Sequence, residues 1–313
     1  LIITLIIGTY VYSKTNSVLN FVISIILMYI PIEKVVVQII QYILGKCIKP
    51  KLIPKIDFQN GVPKKYSTFV VIPTIIKDKE KVEEMFNKLE VYYLANKSEN
   101  MYFALLGDCA QSDKEQEEYD QEVIKSGLEL VKQLNDKYKN EGLNKFHFIY
   151  RKRVWNDKEE CFIGWERKRG MLNQFNEYIL KNIENPFLVN TLEEQKELVP
   201  NIKYIITLDS DTALVLNTGL ELIGAMAHIL NMPKLNEERN VVIDGYGIMQ
   251  PRVGIDLASS QKTLFTKLYA GLGGTDSYTN AISDVYQDNF DEGIFAGKGI
   301  YDVKVFSDVL NGN

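Results

Sequence analysis

From Ser67 onward, short runs rich in β-branched and aromatic residues alternate with longer stretches whose apolar residues recur at helical spacing. This alternation points to an α/β domain in which helices cover both faces of a mainly parallel sheet. The strand candidates are residues 67–74 (STFVVIPT), 101–108 (MYFALLGD), 146–152 (FHFIYRK), 203–209 (KYIITLD) and 241–250 (VVIDGYGIMQ). Their near-continuous apolarity is what a sheet covered on both faces requires. Between the first two, Val82, Met85, Phe86, Leu89 and Tyr93 fall on one helical face. Further helices are expected over about 115–139, after Gly170 and over 217–230. Ligands of such open sheets sit beyond the carboxyl ends of the strands, which directs attention to residues 74, 108 and 209–211.

With 313 residues, 46% hydrophobic and 25% charged, the chain can bury one sizeable core or two modest ones, and disorder is ruled out. A net charge of -5 with no long basic face argues against a nucleic-acid partner. Cys47, Cys109 and Cys161 form no CxxC pair, and His147 and His228 are the only histidines, which argues against structural zinc and fits a reducing compartment.

The N-terminal end is different in kind. Residues 1–12 are apolar throughout, and after SKTNS the apolar run resumes over 18–30. Each is shorter than the ~20 residues of a spanning helix. The first reads as the truncated end of a span, and the second can continue past Pro31, a proline that spanning helices tolerate. Together they predict a transmembrane hairpin within residues 1–45, a linker over 46–66, and the α/β domain over 67–313. Lys46, Lys49, Lys51 and Lys55 favour a cytoplasmic exit. A cleaved signal peptide fits less well, because no small-residue cleavage site precedes the lysines. Beginning inside an apolar run and stopping just after a helical pattern, the sequence reads as a fragment at both ends.

In YIITLDSDTAL an apolar strand runs inward and then presents Asp209 and Asp211 one residue apart, on the same side if alternation continues. Two carboxylates so close repel each other unless a cation compensates them, and Mg²⁺ or Mn²⁺ does so while completing its shell with water and phosphate oxygens. The competing reading is a cap for the next helix, with Thr212 in that role. Arg167, Lys168 and Arg169 precede a helix carrying Leu172, Phe175, Tyr178 and Ile179. Cations are unfavourable at a helix start, so these answer either to an anion such as a pyrophosphate or simply to solvent. Asp108, ending the second strand, suits a base or ribose contact or a turn. In Phe295-Ala296-Gly297-Lys298-Gly299 the glycines permit close approach to a bulky ligand, or an ordinary turn before the helix from about Asp302. Asp284, Asp288, Asp291 and Glu292 read as a solvated loop.

The phrases KLIPKIDFQNGVPKKYSTFVVIPT, KLEVYYLAN, FALLGD, GWERKRG, YIITLDSDT, DGYGIMQPRV, SDVYQD and GKGIYDVKVF follow one another over nearly the whole chain. In that order they resemble the glycosyltransferase region of bacterial cyclic β-1,2-glucan synthases. The resemblance implies a GT-A type, Rossmann-like fold related to family 2 glycosyltransferases, with UDP-glucose as donor, a glucan acceptor and an inverting, metal-dependent transfer. By position it gives Asp108 a uridine contact, and Lys168 and Arg169, beside Arg167, the diphosphate side. Asp209 and Asp211 become the DxD, with Asp211 the direct metal ligand, and Phe295, Gly297, Lys298 and Gly299 the acceptor loop. A glucan hydroxyl would attack the anomeric carbon in line while the metal stabilises the departing diphosphate. The general base of the family falls after Asn313, so its residue is not identified in this chain. The resemblance further implies membrane lipid around the hairpin, additional domains of a larger polypeptide, and a bacterial inner (cytoplasmic) membrane with the α/β domain facing the cytoplasm. Three other readings stay open: a processive synthase of the cellulose or hyaluronan kind, a non-catalytic nucleotide-sugar-binding fragment, and a phosphatase whose DxDxT loop LDSDTAL resembles. Against the last, such a loop opens its domain, whereas four strand candidates lead up to this one.

Overall fold

The computed structural model describes residues 1–47, 52–139, 142–236, 238–251, 253–254, 256–269, 295 and 297–310. They divide into two compact units, residues 1–52 with 252–294, and residues 53–251 with 295–313. The run Asp284 to Glu292 lies outside the described residues.

In the first unit, helix α1 (Ile2–Thr15) and helix α2 (Val18–Cys47) are separated by Asn16 in the left-handed conformation and Ser17. Gly8 of α1 lies against Phe21 and Ile25 of α2, leaving no room for a side chain there. At 14 residues α1 is shorter than a span. Within α2, Val18–Ile40 has a mean hydropathy of 2.0 and is wholly unburied, the one stretch among the described residues long and apolar enough to cross a membrane. Pro31 sits inside it. Two short helices, Leu257–Ser260 and Leu264–Tyr269, also belong to this unit.

The second unit is mixed α/β. In chain order its elements are β1 (Thr68–Ile76), α3 (Lys79–Ala95), β2 (Met101–Cys109), α4 (Glu118–Lys137), β3 (Phe146–Tyr150), β4 (Val154–Asn156), β5 (Cys161–Ile163) and α5 (Arg167–Ile179). There follow β6 (Val189–Asn190), β7 (Tyr204–Thr207), α6 (Thr218–Ala227), β8 (Lys234–Asn236), β9 (Val241–Asp244), β10 (Ile248–Met249), β11 (Gly299–Asp302) and α7 (Val303–Leu310). Seven strands form one sheet in the order β10-β11-β7-β1-β2-β3-β6. The central four, β7, β1, β2 and β3, are parallel, and β11, β10 and β6 add antiparallel edges. From β1 the sheet grows through β2 and β3 on one side and jumps to β7 on the other. That reversal makes β1 and β7 a topological switch point, the place outside whose carboxyl ends ligands of open sheets bind.

Alternation along each strand feeds two cores. Val70, Ile72, Phe103, Leu105, Phe146 and Phe148 pack under α3 and α4 through Val82, Met85, Phe86, Leu89 and Val123. Phe69, Val71, Ala104, Leu106 and Ile149 pack on the other face under α5 through Met171, Leu172 and Phe175. All are nearly solvent-free, which is why these strands read as unbroken apolar runs.

Two expectations need correcting. Residues 241–250 are not one strand: Val241–Asp244 pairs with β8 in a separate hairpin, and only Ile248–Met249 reaches the main sheet. The cause is Gly245, whose φ of 73° and close approach to the Met232 carbonyl turn the backbone there. The helix expected after Gly170 starts at Arg167, so the basic triplet forms its first turn.

The β1-to-α3 connection ends in a cap. Asp78, extended at φ -153°, accepts a hydrogen bond from the Lys81 backbone at 2.8 Å. Asp78→Ala is expected to destabilise the domain by about 1 kcal/mol in denaturant unfolding, with no change in slope.

Candidate functional site

Strand β7 ends at Thr207, and the chain then turns tightly, Thr212 N–H donating to the Asp209 carbonyl at 3.0 Å. Strand alternation therefore no longer governs the two carboxylates: Asp209 is half-buried and Asp211 is exposed. Helix α6 begins only at Thr218 with Asn217 before it, so neither Asp211 nor Thr212 caps it. Helix α3 holds the turn from behind. Lys88 Nζ donates to the Ser210 carbonyl at 2.6 Å, and Tyr92 OH donates to the Thr212 carbonyl at 2.6 Å. Burial, and then the nearby Asp211 charge, push the Tyr92 hydroxyl up from its ordinary pKa.

Both oxygens of Asp209 are taken by ammonium groups. Lys168 bonds Oδ1, and Lys298 reaches Oδ2 at 2.9 Å. Lys168 also donates to the Gly297 carbonyl at 2.5 Å, and Lys298 Nζ lies 3.5 Å from Thr212 Oγ1. Desolvation raises the Asp209 pKa, but the hydrogen bonds and charges of the two lysines outweigh it, and the net direction is down. The carboxylate is thus ionised at neutral pH.

Behind the basic triplet lies a buried ion pair. Arg151 Nη2 and Nε meet the two oxygens of Asp108 at 2.6 and 3.2 Å. The remaining guanidinium donors go to the carbonyls of Trp165 at 2.8 Å and Arg167 at 3.2 Å and to Gln174 Oε1 at 3.4 Å. Gly164 is packed so closely on this pair that any side chain would collide with both partners. Glu166 and Arg167 follow with φ of 47° and 50°, two consecutive left-handed residues that Arg151 helps to hold. Strain of this sort persists only where surroundings over-determine it and tends to mark functional turns.

Beyond the ends of β1 and β2 a cavity of about 640 Å³ is lined by residues including Ile75, Lys77, Gln111, Ser112, Lys114 and Arg167. Among the described residues, Arg167 Nη1 is out of solvent without a hydrogen-bond partner. Of the residues singled out from sequence, Lys168, Asp209, Gly297 and Lys298 come together directly, with Asp211 two residues from Asp209. Gly299 opens β11, hydrogen-bonded to β7 with Gly299 opposite Thr207. Arg167 lines the cavity, Arg169 is exposed and paired with Glu166 at 3.1 Å, and Phe295 is exposed. Asp108 does not line the cavity, its carboxylate being committed to Arg151. Sequence reasoning missed Arg151, Lys88 and Tyr92.

No group of three or more His, Cys, Asp or Glu side chains suited to a metal occurs among the described residues. The residues still fit Mg²⁺ or Mn²⁺. One exposed carboxylate, Asp211, beside a second one already balanced by lysines, suits an ion that takes most of its shell from water and phosphate oxygens.

No family model matches the chain. Over 290 residues, 92% of its length, it is 33% identical to cyclic beta-(1,2)-glucan synthase NdvB of Rhizobium meliloti (strain 1021). The chain is a region of the cyclic β-(1,2)-glucan synthase family. It spans 10% of the Rhizobium synthase's length. The family read from GWERKRG and GKGIYDV is therefore borne out, and in the fold these two phrases supply the lysines that meet on Asp209.

Proposed function

We propose that this chain is the donor-binding part of a membrane-attached glycosyltransferase of GT-A type, which transfers glucose with inversion from UDP-glucose to a growing β-1,2-glucan. The observation that carries this reading is the Asp209-Ser210-Asp211 turn at the β1/β7 switch point, with lysines from two distant segments converging on it. The uridine occupies the cavity beyond β1 and β2, and Asp108 serves it indirectly by fixing Arg151 and hence the turn that carries Arg167. Arg167 and Lys168 face the diphosphate, and Asp211 holds Mg²⁺ or Mn²⁺. When bound, the ion neutralises charge that develops on the departing diphosphate. Gly297 and Phe295 lie toward the glucan, whose attacking hydroxyl must give up its proton to a general base.

The N-terminal helices anchor this part in the bacterial inner membrane, α2 spanning it and the lysines after residue 45 marking the cytoplasmic side. The test is donor competition. Radiolabelled UDP-glucose retained on the chain should be displaced by UDP and unlabelled UDP-glucose but not by GDP-mannose. Equal displacement by all three would contradict a uridine-reading site.

A further inference from the structure

We infer that Lys168 and Lys298 together form a two-ammonium cradle for the donor's diphosphate, kept assembled by Asp209, so that Lys298 works on the donor side of the site. The inference rests on the donor-binding reading above and assigns the leaving group its receptor. Lys168 comes from the first turn of α5 and Lys298 from the residue before β11, yet both ammoniums end on the two oxygens of one carboxylate. Their secondary partners, the Gly297 carbonyl and the Thr212 hydroxyl, are neutral.

The two side chains are only 31% and 23% exposed and share one carboxylate. Arg167, beside Lys168, adds a guanidinium nitrogen that is out of solvent and without a partner among the described residues. At Asp209 itself, two ammonium groups of the described residues share one carboxylate. Two partly desolvated ammoniums on one carboxylate favour a further anion that brings both charge and acceptors.

The spacing favours a diphosphate over a single anionic group. Ammoniums bonded to opposite oxygens of one carboxylate are held a few ångströms apart, which lets each meet a different phosphoryl group. Each ammonium carries three donors, so binding a phosphate oxygen does not require it to leave Asp209. Asp209 is accordingly a positioning residue: it touches the lysines, and they touch the diphosphate. Gly297 contributes through its conformation. With φ 76°, a backbone conformation that side-chain-bearing residues rarely adopt, it turns its carbonyl onto Lys168.

The test is calorimetric titration of the full chain in detergent micelles with UDP and with uridine, at constant Mn²⁺. Lys298→Met should weaken UDP by about tenfold or more while uridine changes by less than about twofold, since one charge-assisted contact is lost. Lys168→Met should do the same, and Lys298→Arg should recover most of the UDP affinity. If the methionine variant is unfolded, Lys298→Gln should show the same UDP-selective drop. A merely structural lysine would give unchanged UDP binding, or equal losses for UDP and uridine in a folded variant, and either result overturns the cradle. An unaltered chain that binds uridine but gains nothing from the diphosphate also overturns the cradle alone. A chain that binds neither ligand sinks the donor-site reading itself.

Discussion

Arg151→Leu is expected to cost roughly 3–5 kcal/mol of stability, lowering the thermal midpoint by on the order of 10 °C. The reason is the carboxylate left behind. Asp108 is 3% exposed, and both its oxygens depend on the Arg151 guanidinium. Removing the cation strands a buried charge, which is far more damaging than never having built the pair. The carbonyls of Trp165 and Arg167 lose donors in the same step. Because these carbonyls belong to the left-handed turn before α5, the damage should spread to Arg167 and Lys168. A circular-dichroism melt of the variant checks the size of the effect. A loss below about 1 kcal/mol would mean that the pair is not the support described here.

That pair shows how much was legible in the sequence and where legibility stopped. The four central strands and α3 were readable because each is buried on a predictable face, and burial writes itself as apolar periodicity. The Asp108–Arg151 pair left a fainter trace. FALLGD and FHFIYR each end an apolar run with an opposite charge, and once Gly107 is placed beside Tyr150 the next residues are neighbours. Register is a tertiary fact, so the trace could be seen only after the strands were paired.

The candidate site was half legible. Asp209 and Asp211 stood out because two carboxylates at the end of an apolar run are costly without a reason. The lysines on Asp209 could not be foreseen, since Lys298 reaches it only because β11 returns antiparallel beside β7. The Lys88 and Tyr92 contacts were hidden for another reason. Both residues sit on α3, whose apolar face explained its pattern so well that nothing remained to point at Ser210 and Thr212. Residues 241–250 misled in the opposite direction, because an apolar run does not reveal that a single glycine breaks it in two.

Asp211→Ala is expected to remove the metal-dependent part of donor binding altogether. Among the described residues no lysine pairs with the exposed Asp211, and Asp209 cannot readily replace it while two ammoniums occupy its oxygens. Loss of a direct ligand should lower metal-supported donor affinity or transfer by on the order of 100-fold or more, whereas the fold, in which an exposed side chain carries little, should be unaffected. The direct measurement is calorimetric titration of UDP-glucose into the unaltered chain and into Asp211→Ala, each with and without Mn²⁺. The account predicts that Mn²⁺ tightens binding to the unaltered chain and does nothing for the variant. The same Mn²⁺-dependent gain in both proteins would contradict it.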